Sequence, residues 1–447
     1  MATPLTEITS SSAGRGATAA RAMTTVSIAG RHAARALVGP VVHHGIRHHH
    51  EWGPSAAREV RRAFGALGPT YVKLAQLIAS SPGLFPEVLS DELRSLLDCA
   101  PPVPPADIVH IVRREFGAAP DEVFARFDPA PLASASIAQV HAATLHDGTD
   151  VVVKVQRRGI RARLAADLAI LSGAAQLLER TSARGRMANP VAVVEDFAAT
   201  LAHELNFVLE AQAMERFSEN LVASGSNEGV RVPEVHWRYT TQRVLTMERI
   251  HGHSIDDTGT LSGSGFDLPE ILKRGVRAWM EGALEHGFFH GDVHAGNLMV
   301  DTDGNLVFLD FGIVGQLDDR TKSIIRNGLP ALLLDGDFAE VAKSIYDLGA
   351  VLNPIDLDQA SADIAEIVGP ILAQPLSQIS YGQVLIDIVR VGTRYEVRLP
   401  RELVLVAKQM LYFERYAKLM APDWNILDDP ELIGFLFESV QTEGTVS

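Results

Sequence analysis

The length, composition and charge of the chain exclude several classes of protein. With 447 residues, of which 47% are hydrophobic and 21% charged, it can form a large core, its length favours two lobes with extensions, and it does not resemble a disordered chain. Its formal charge of −15 argues against general nucleic-acid binding, because proteins that hold phosphate backbones normally carry a basic surplus. The single cysteine, Cys99, excludes an intramolecular disulfide and a thiolate metal cluster, which fits a reducing compartment.

The first 52 residues are predicted to form a flexible arm. Residues 1–50 are rich in alanine, serine, threonine and glycine, and their arginines outnumber the single acid, Glu7. This composition favours a flexible tail over a transit peptide or a surface-seeking arm. The histidine run from His43 to His50 lacks acids or cysteines at fixed spacing, so we interpret it as part of the tail and not as a metal site.

No segment is predicted to cross a membrane. A transmembrane helix needs roughly 18 largely uninterrupted apolar residues. The nearest candidate, from Ile367 to Val389, is interrupted by Pro370, Pro375 and several polar residues. We therefore expect a cytoplasmic protein whose membrane association, where it occurs, is peripheral.

Two helices are predicted between about Gly53 and Pro86, with a break at Gly68-Pro69. In the second, TYVKLAQLIASS, Lys73 and Gln76 lie three residues apart and therefore on one face. The spacing alone favours a solvated face of an amphipathic helix. The proline cluster PPVPP, residues 101–105, predicts a linker after this region.

A β-hairpin is predicted after the linker. The runs HAATL and DVVVKV flank His146-Asp147-Gly148, and Asp-Gly between such runs is a strong hairpin signal. Alternation places Lys154 on the face opposite Val153 and Val155. Its ammonium group must then reach water at a sheet edge or face an anion. Just upstream, PLASASIAQVH supplies small residues where a backbone could approach a ligand, which alone is a weak signal.

Helices are predicted next, from about Ala162 to Arg180 and from Pro190 to Glu219. The second contains Glu204 and Glu210 among apolar residues. Either acid could be exposed, but a helical glutamate is also the obvious partner for a lysine on an adjacent strand. The run QRVLTMERIHG then predicts a strand, VLTM, and a polar connection that is a candidate hinge.

The stretch HGDVHAGNLMV, residues 290–300, contains a dense cluster of polar side chains. Short apolar runs on either side of Asp303-Gly304 predict a second hairpin, which places Asn297 and Asp310 at the open ends of one ribbon. Asp292 lies on the loop before it. Two carboxylates and a carboxamide suit Mg²⁺, which commonly shares its shell with substrate phosphates. The histidines would support the loop, because Mg²⁺ has little use for imidazole.

These residues occur in the order that protein kinases require. A strand lysine is followed by a helix glutamate, a loop aspartate with an asparagine five residues on, and an Asp-Phe-Gly. Asp-Phe-Gly alone arises readily by chance, whereas the ordered set does not. The predicted fold class is therefore α+β, a two-lobed protein-kinase-like fold.

The motifs, taken together, resemble those of the UbiB-like atypical kinases, also called AarF-domain-containing kinases, over about residues 55–430. YVKLAQLIASSPGLFP resembles the family's K-x-G-Q motif with Ala75 in place of glycine, and PLASASIAQVHAA resembles its alanine-rich nucleotide loop. HELNFVLEAQ resembles its E-x-D helix with Asn206 replacing aspartate. GDVHAGN and LDFG resemble its catalytic and metal loops, with Ala295 where proline is usual.

The resemblance implies a helical N-terminal extension that covers the active site. Lys73 and Gln76 would then point into that site, against the preference of the local spacing. The implied organisation is a flexible arm, a helical extension, a kinase-like N-lobe, a kinase-like C-lobe and a tail, at residues 1–52, 53–115, 116–250, 251–436 and 437–447.

The resemblance also implies roles for individual residues. Lys154 would hold the α and β phosphates and pair with Glu210, while Glu204 would pair with Lys73. Asp292 would orient or deprotonate the nucleophile. Two residues would bind Mg²⁺, namely Asn297 and Asp310. The further nucleotide-binding positions are Ala133, Ser134, Ala135, Ser136, Ile137, Met247 and Glu248.

The expected activity is that of an ATPase or atypical kinase, with protein-kinase activity disfavoured by the alanine-rich loop. ATP or ADP and Mg²⁺ are the implied cofactors. The family's role in quinone or isoprenoid-lipid metabolism implies a quinone-like or isoprenoid lipid partner and peripheral membrane contact, and no nucleic acid is expected. Two alternatives stay open. One is a small-molecule phosphotransferase of the aminoglycoside or choline kinase type, which shares the HGDxHxxN loop, and the other is a nucleotide-gated scaffold.

Overall fold

A computed structural model of the chain shows helices and strands in two compact units. It describes residues 15–43, 54–79, 87–93, 96, 101–181, 189–225, 228–330, 332, 336–348, 356–372, 380, 383–384, 386–388, 391, 395, 401–424, 429 and 432. One unit comprises residues 1–211 and 235–249, and the other comprises residues 212–234 and 250–447.

The described part of the chain combines many helices with short strands that pair mostly antiparallel, as in an α+β fold. The helices are α1 Arg15–His43, α2 Pro54–Leu67, α3 Pro69–Ala79, α4 Glu87–Leu93, α5 Pro105–Phe116, α6 Pro120–Val123, α7 Ile160–Thr181, α8 Pro190–Glu204, α9 Phe207–Ser224, α10 Thr258–Gly263, α11 Leu268–Leu284, α12 Asp319–Pro330, α13 Phe338–Leu348, α14 Leu357–Leu372 and α15 Arg401–Met420. The strands are β1 Arg126–Ser134, β2 Ala138–Thr144, β3 Asp150–Gln156, β4 Val230–Arg231, β5 Val244–Glu248, β6 Gly252–Ser254, β7 Phe288–His290, β8 Leu298–Asp301, β9 Leu306–Phe308 and β10 Val314–Gln316. Short 3₁₀ turns cover Trp237–Tyr239 and Ala295–Asn297.

The first unit is built on an antiparallel sheet with strand order β1-β2-β3-β5. The predicted hairpin of β2 and β3 is confirmed, and Gly148 adopts a φ of 91° in its turn, which glycine accepts without strain. Val151, Val153 and Val155 face a buried cluster that includes residues of α5. Because β3 is a central strand, the alternative that placed Lys154 at a sheet edge is wrong.

Residues 15–43 form the helix α1, which corrects the expectation of a flexible arm for this stretch. Two long-range contacts hold α1 in place: Arg21 Nε lies 2.6 Å from Asp167 Oδ1 on α7, and His32 Nδ1 lies 2.8 Å from Glu59 Oε2 on α2. The alanine content that looked like a tail also has high helix propensity, and composition alone cannot reveal partners so distant in sequence. The His44–His50 part of the histidine run lies outside the described residues.

The single helix predicted from Pro190 to Glu219 is in fact two helices, α8 and α9, separated at Leu205-Asn206. The Leu205 carbonyl accepts hydrogen bonds from the side chains of Gln156 and Arg161, the first at 2.7 Å. The Asn206 side chain accepts from the Val208 N–H at 3.2 Å, which is a helix-capping contact. The break therefore arises from tertiary partners together with a local cap.

The second unit contains a four-stranded sheet with order β4-β9-β8-β6 and a two-stranded ladder of β7 and β10. The predicted hairpin of β8 and β9 is confirmed, with Gly304 in its turn at a φ of 83°. Helix α11 is largely buried, and Trp279 Nε1 donates to the His290 carbonyl at 2.8 Å. This bond ties the end of β7, and hence the following polar loop, to the core.

The C-terminal helical part of the second unit has its own apolar cluster, formed by residues of α13 and α14 with Leu332, Val384, Ile388 and Val391. Among the described helices, none is long and apolar enough to cross a membrane. The predicted tail, residues 437–447, lies outside the described residues.

Candidate functional site

Lys154 and Glu210, expected as partners from the sequence, lie together in the first unit. Lys154 Nζ is 2.8 Å from Glu210 Oε1, and their side chains are only 11% and 5% exposed. The ammonium group also lies 5.3 Å from the centroid of the Phe207 ring. A lysine on an apolar central strand requires an anion as partner. For Lys154 this anion is the carboxylate of Glu210 on helix α9.

Lys73 and Glu204 form a second ion pair in the same unit. Lys73 Nζ is 3.3 Å from Glu204 Oε2, with exposed side-chain fractions of 16% and 7%. The solvated-face interpretation of Lys73 is therefore wrong. Gln76 lies on the same helix, α3, and is half-buried. Ala75 is completely buried and its methyl group packs against α2 and α4, so the departure from glycine lies in an apolar cluster.

The two glutamates lie on either side of the break between α8 and α9. Glu204 is the last residue of α8, and Glu210 lies in the first turn of α9. Asn206 sets the start of α9, because its side chain accepts from Val208 N and its carbonyl accepts from Leu209 N at 2.9 Å. Asparagine and aspartate are both good helix caps, so Asn206 retains the capping function that an aspartate at this position can perform.

The alanine-rich stretch from Ala133 to Ile137 covers the end of β1 and the turn into β2. Ala135 N donates to the Ala138 carbonyl at 2.9 Å, and Ser136 and Ile137 are buried while Ala133 is exposed. Among the described residues only Asn189 and Asp310 are non-glycine residues with positive φ, so this turn uses an ordinary backbone conformation.

Met247 and Glu248 end strand β5 of the same sheet. They pair with Val152 and Val151 of β3, and Met247 also bridges to Val235. The structure therefore places these two residues, the turn from Ala133 to Ile137 and Lys154 on one sheet.

The loop after β7 and the end of β9 meet in the second unit. Asn297 Nδ2 donates to the Asp292 carbonyl at 2.9 Å, and the Asn297 carbonyl accepts from Leu309 N at 2.8 Å. Asp310 has a φ of 52°, a conformation that non-glycine residues adopt infrequently. One side-chain contact and one backbone contact thus bring together the three residues predicted from the motif, Asp292, Asn297 and Asp310.

His290 connects the two loops that carry these residues. Its Nδ1 accepts from Asp292 N at 3.2 Å, and its Nε2 lies 2.8 Å from the Leu309 carbonyl and 3.0 Å from the Asp310 carbonyl. Only a neutral ring with the proton on Nε2 satisfies all three contacts. Complete burial lowers the pKa of His290, which favours the same neutral form. The expectation that a histidine supports this loop matches these contacts.

Helix α15 supports the loop, and sequence reasoning missed this. The buried Gln409 accepts from Val293 N and donates to the Gly291 carbonyl, both at 2.8 Å. The Tyr416 hydroxyl donates to the Val293 carbonyl at 2.9 Å, and burial raises the pKa of Tyr416. The only sequence signal is a lysine and a glutamine inside an otherwise apolar helical run, which is common on solvated faces.

Lys408, also on α15, contacts Asp292 directly. Its Nζ lies 2.8 Å from Asp292 Oδ1, while His294 Nε2 lies 3.6 Å from Oδ2. The carboxylate is thus held on one oxygen by a lysine that lies 116 residues further along the chain. No local motif could have revealed this contact.

Asn297 and Asp310 fit a Mg²⁺ site of the kind that phosphates complete. Both offer hard oxygen ligands, and because the Asn297 amide nitrogen is used by the Asp292 carbonyl, its oxygen is the atom left for a cation. In the part of the chain that the structure describes, no group of three or more histidine, cysteine or acidic residues could hold a metal by itself. Additional oxygens, such as those of phosphate and water, would have to complete the shell.

Comparisons with known proteins agree with this arrangement. A family model described as the ABC1 atypical kinase-like domain matches residues 95–345, and one described as the UbiB helical domain matches residues 364–425. The uncharacterized protein Rv0647c of Mycobacterium tuberculosis is 47% identical over 384 residues, which are 86% of this chain and 78% of the relative. A probable protein kinase UbiB of Azotobacter vinelandii is 36% identical over 377 residues, which are 83% of this chain and 69% of the relative.

A solved structure shares the fold. It is described as the complex of Rv3197 with erythromycin from Mycobacterium tuberculosis, and it aligns with a TM-score of 0.51 at 23% identity, over 82% of this chain and 96% of that chain. The kinase-like fold predicted from the ordered motifs is confirmed, and so is the resemblance from which the family was named.

Proposed function

This chain belongs to the ABC1 atypical kinase-like family of UbiB-type proteins, and on that premise we propose that it binds ATP with Mg²⁺ and acts as an ATPase or atypical phosphotransferase. The observation that carries the proposal is the buried pair of Lys154 and Glu210. A well-packed apolar pair would serve stability as well or better, so a buried ion pair on a central strand is more readily explained by a ligand that needs the ammonium group.

The residues have distinct roles in this proposal. Lys154, oriented by Glu210, binds the α and β phosphates. Asn297 and Asp310 hold Mg²⁺, which when bound neutralises developing charge on the phosphate oxygens. Asp310 has a positive φ, a backbone conformation that is costly for a non-glycine residue. The surrounding contacts must therefore hold Asp310, and with it the carboxylate, in place.

Asp292 orients the nucleophile. Lys408 lies 2.8 Å from its Oδ1, so Oδ2 is the less occupied oxygen for a water or hydroxyl group. An ammonium ion on the first oxygen also limits the rotation of the carboxylate, which restricts the direction from which a nucleophile can approach. We infer that, in contact with Lys408, Asp292 acts mainly to orient the nucleophile and less as a general base.

The biological setting that we propose is quinone or isoprenoid-lipid metabolism, with peripheral membrane contact. Family membership supports this setting, since the UbiB-type relatives match over most of this chain. A lipid substrate or activator should then change the rate of ATP turnover.

The test is steady-state ATP hydrolysis with Mg²⁺, in the presence and absence of liposomes that contain a quinone-headgroup analogue. Asp310→Asn should abolish turnover, Lys408→Met should lower it, and removal of Mg²⁺ by EDTA should stop it. Lys343→Met is the matched control in the same unit, because Lys343 is 58% exposed and pairs across one helical turn with Glu340.

Two results would contradict the proposal. If the wild-type chain does not bind MgATP in a calorimetric titration, the nucleotide assignment fails. If it binds but no variant differs from background hydrolysis, the ATPase assignment fails, and transfer to an added alcohol or aminoglycoside becomes the reaction to measure.

A further inference from the structure

One residue, Arg157, holds the alanine-rich turn between β1 and β2. Arg157 Nε donates to the Ala135 carbonyl and its Nη2 donates to Ser134 Oγ, both at 2.8 Å. The backbone N–H of Arg157 donates to the Ile137 carbonyl, also at 2.8 Å. Three hydrogen bonds from one residue thus reach three positions of the stretch from Ala133 to Ile137.

The guanidinium group is itself fixed in place. Its Nη2 also donates to the Pro101 carbonyl at 2.9 Å, in the proline linker. A second contact joins the linker to β2, because Val103 N donates to Oε1 of the buried Gln139. Arginine presents its donors in a rigid planar fork, so these contacts define the plane of the guanidinium group as well as its position.

The bond to the Ala135 carbonyl determines where the next amide points. Described peptide bonds in this chain include no cis bonds, and in a planar trans peptide the N–H points opposite to the C=O. The N–H of Ser136 is therefore directed away from Arg157. Arg157 thus sets the orientation of the peptide between Ala135 and Ser136.

We propose that Arg157 is the positioning residue of the alanine-rich turn, whose shape it fixes for contact with a nucleotide phosphate. The inference deepens the proposed function and rests on it for the identity of the ligand. Residues other than glycine reach positive φ only at a cost, so this turn lacks the adaptability of a glycine-rich loop. Arg157 replaces that adaptability with a single prearranged shape, which lowers the ordering cost on binding.

The neighbouring Arg158 is a matched control. Arg158 carries the same charge as Arg157 and is the next residue in the chain. Unlike Arg157, it is exposed, and its guanidinium group pairs with Asp107 at 3.2 Å. Loss of Arg158 therefore removes a surface ion pair and leaves the contacts of Arg157 with the turn in place.

The experiment compares wild type, Arg157→Ala, Arg157→Lys and Arg158→Ala with two readouts. The first is amide hydrogen exchange, without nucleotide, in peptides that cover residues 130–140. The second is the KM and kcat for MgATP, with the melting temperature as a check on folding. We expect Arg157→Ala to speed exchange in the turn and to raise KM about tenfold with little change in kcat. Arg157→Lys should give intermediate values, because it keeps a charge but not the fork, and Arg158→Ala should match wild type.

The inference is overturned if Arg157→Ala leaves both exchange in the turn and KM unchanged. It is also overturned if Arg157→Ala and Arg157→Lys lower kcat and the melting temperature together without a specific rise in KM, since that pattern describes general destabilisation. If wild type does not bind MgATP, the proposed function fails. The exchange readout then still decides whether Arg157 positions the turn.

Discussion

The two buried lysine–glutamate pairs of the first unit differ in how they are built. Lys154 lies on a central strand and meets Glu210 at 2.8 Å, whereas Lys73 lies on a helix of the N-terminal extension and meets Glu204 at 3.3 Å. The glutamates are only six residues apart, but they belong to different helices. The first pair joins elements that the kinase-like fold itself requires. The second joins the extension to that fold.

This difference predicts different kinds of sensitivity. The strand of Lys154 is held by hydrogen bonds on both sides, so the first pair has little freedom to open without disturbing the sheet. Helix α3, which carries Lys73, is held by side-chain contacts such as the 2.5 Å bond from Thr70 Oγ1 to Asp167 Oδ2. We therefore expect the first pair to govern nucleotide binding and folding, and the second to govern how the extension responds to ligands.

The largest effect should follow from Lys154→Met. The substitution leaves the buried Glu210 carboxylate without its partner, which should cost about 3 kcal/mol in the free energy of unfolding. Turnover of MgATP should fall about a hundredfold or more because the positive charge that contacts the phosphates is lost. Urea denaturation and steady-state kinetics measure the two effects. A variant with wild-type KM and kcat would contradict the assigned role of Lys154.

A smaller loss of stability, about 2 kcal/mol, should follow from Lys73→Met, because this pair is longer and more exposed. The kinetic result should differ in kind, with a changed rate of turnover and retained binding of MgATP. Isothermal titration and hydrolysis assays on the same preparation separate the two. Abolished nucleotide binding together with a native melting temperature would show that the two pairs are not functionally distinct.

Double-mutant cycles compare the pairs directly. The coupling energy of Lys154→Met with Glu210→Gln should exceed that of Lys73→Met with Glu204→Gln by about 1 kcal/mol, because shorter and less exposed pairs couple more strongly. Unfolding free energies of the four single and two double variants supply both values. Equal coupling energies would show that the Lys154–Glu210 pair is not energetically stronger than the Lys73–Glu204 pair.

The smallest effect should come from the residue between the glutamates. Asn206→Asp should keep the cap of α9 and change stability by less than about 0.5 kcal/mol, whereas Asn206→Ala should cost about 1 kcal/mol. Thermal unfolding of both variants tests this. A loss with Asn206→Asp as large as that with Asn206→Ala would show that the amide nitrogen, and not the cap, is the important group.

The sequence predicted those features whose signals are local. The hairpins around Gly148 and Gly304 are predictable because a turn dipeptide separates two apolar runs. The loop residues Asp292 and Asn297 are predictable because one short motif fixes their spacing. The family resemblance then indicates which lysine pairs with which glutamate. These are statements about residues that are close in sequence or constrained by a family pattern.

The features that the sequence did not predict depend on distant partners. Helix α1 is anchored by Asp167 and Glu59, and the break before α9 depends on side chains that bind the Leu205 carbonyl. Lys408 is separated from Asp292 by 116 residues. A lysine and a glutamine in a helix normally indicate a solvated face, and only tertiary packing shows that they reach a loop instead.

The bonds from Gln409 and Tyr416 to the loop at residues 291–293 set a minimum length for any useful shortened form of this protein. A chain cut after residue 345, where the ABC1 match ends, would keep Lys154, Asp292, Asn297 and Asp310. It would lose the Gln409 amide oxygen, which accepts from the Val293 N–H. It would also lose the Tyr416 hydroxyl, which donates to the Val293 carbonyl. Such a fragment should lack activity although every motif residue is present, so biochemical work should retain α15.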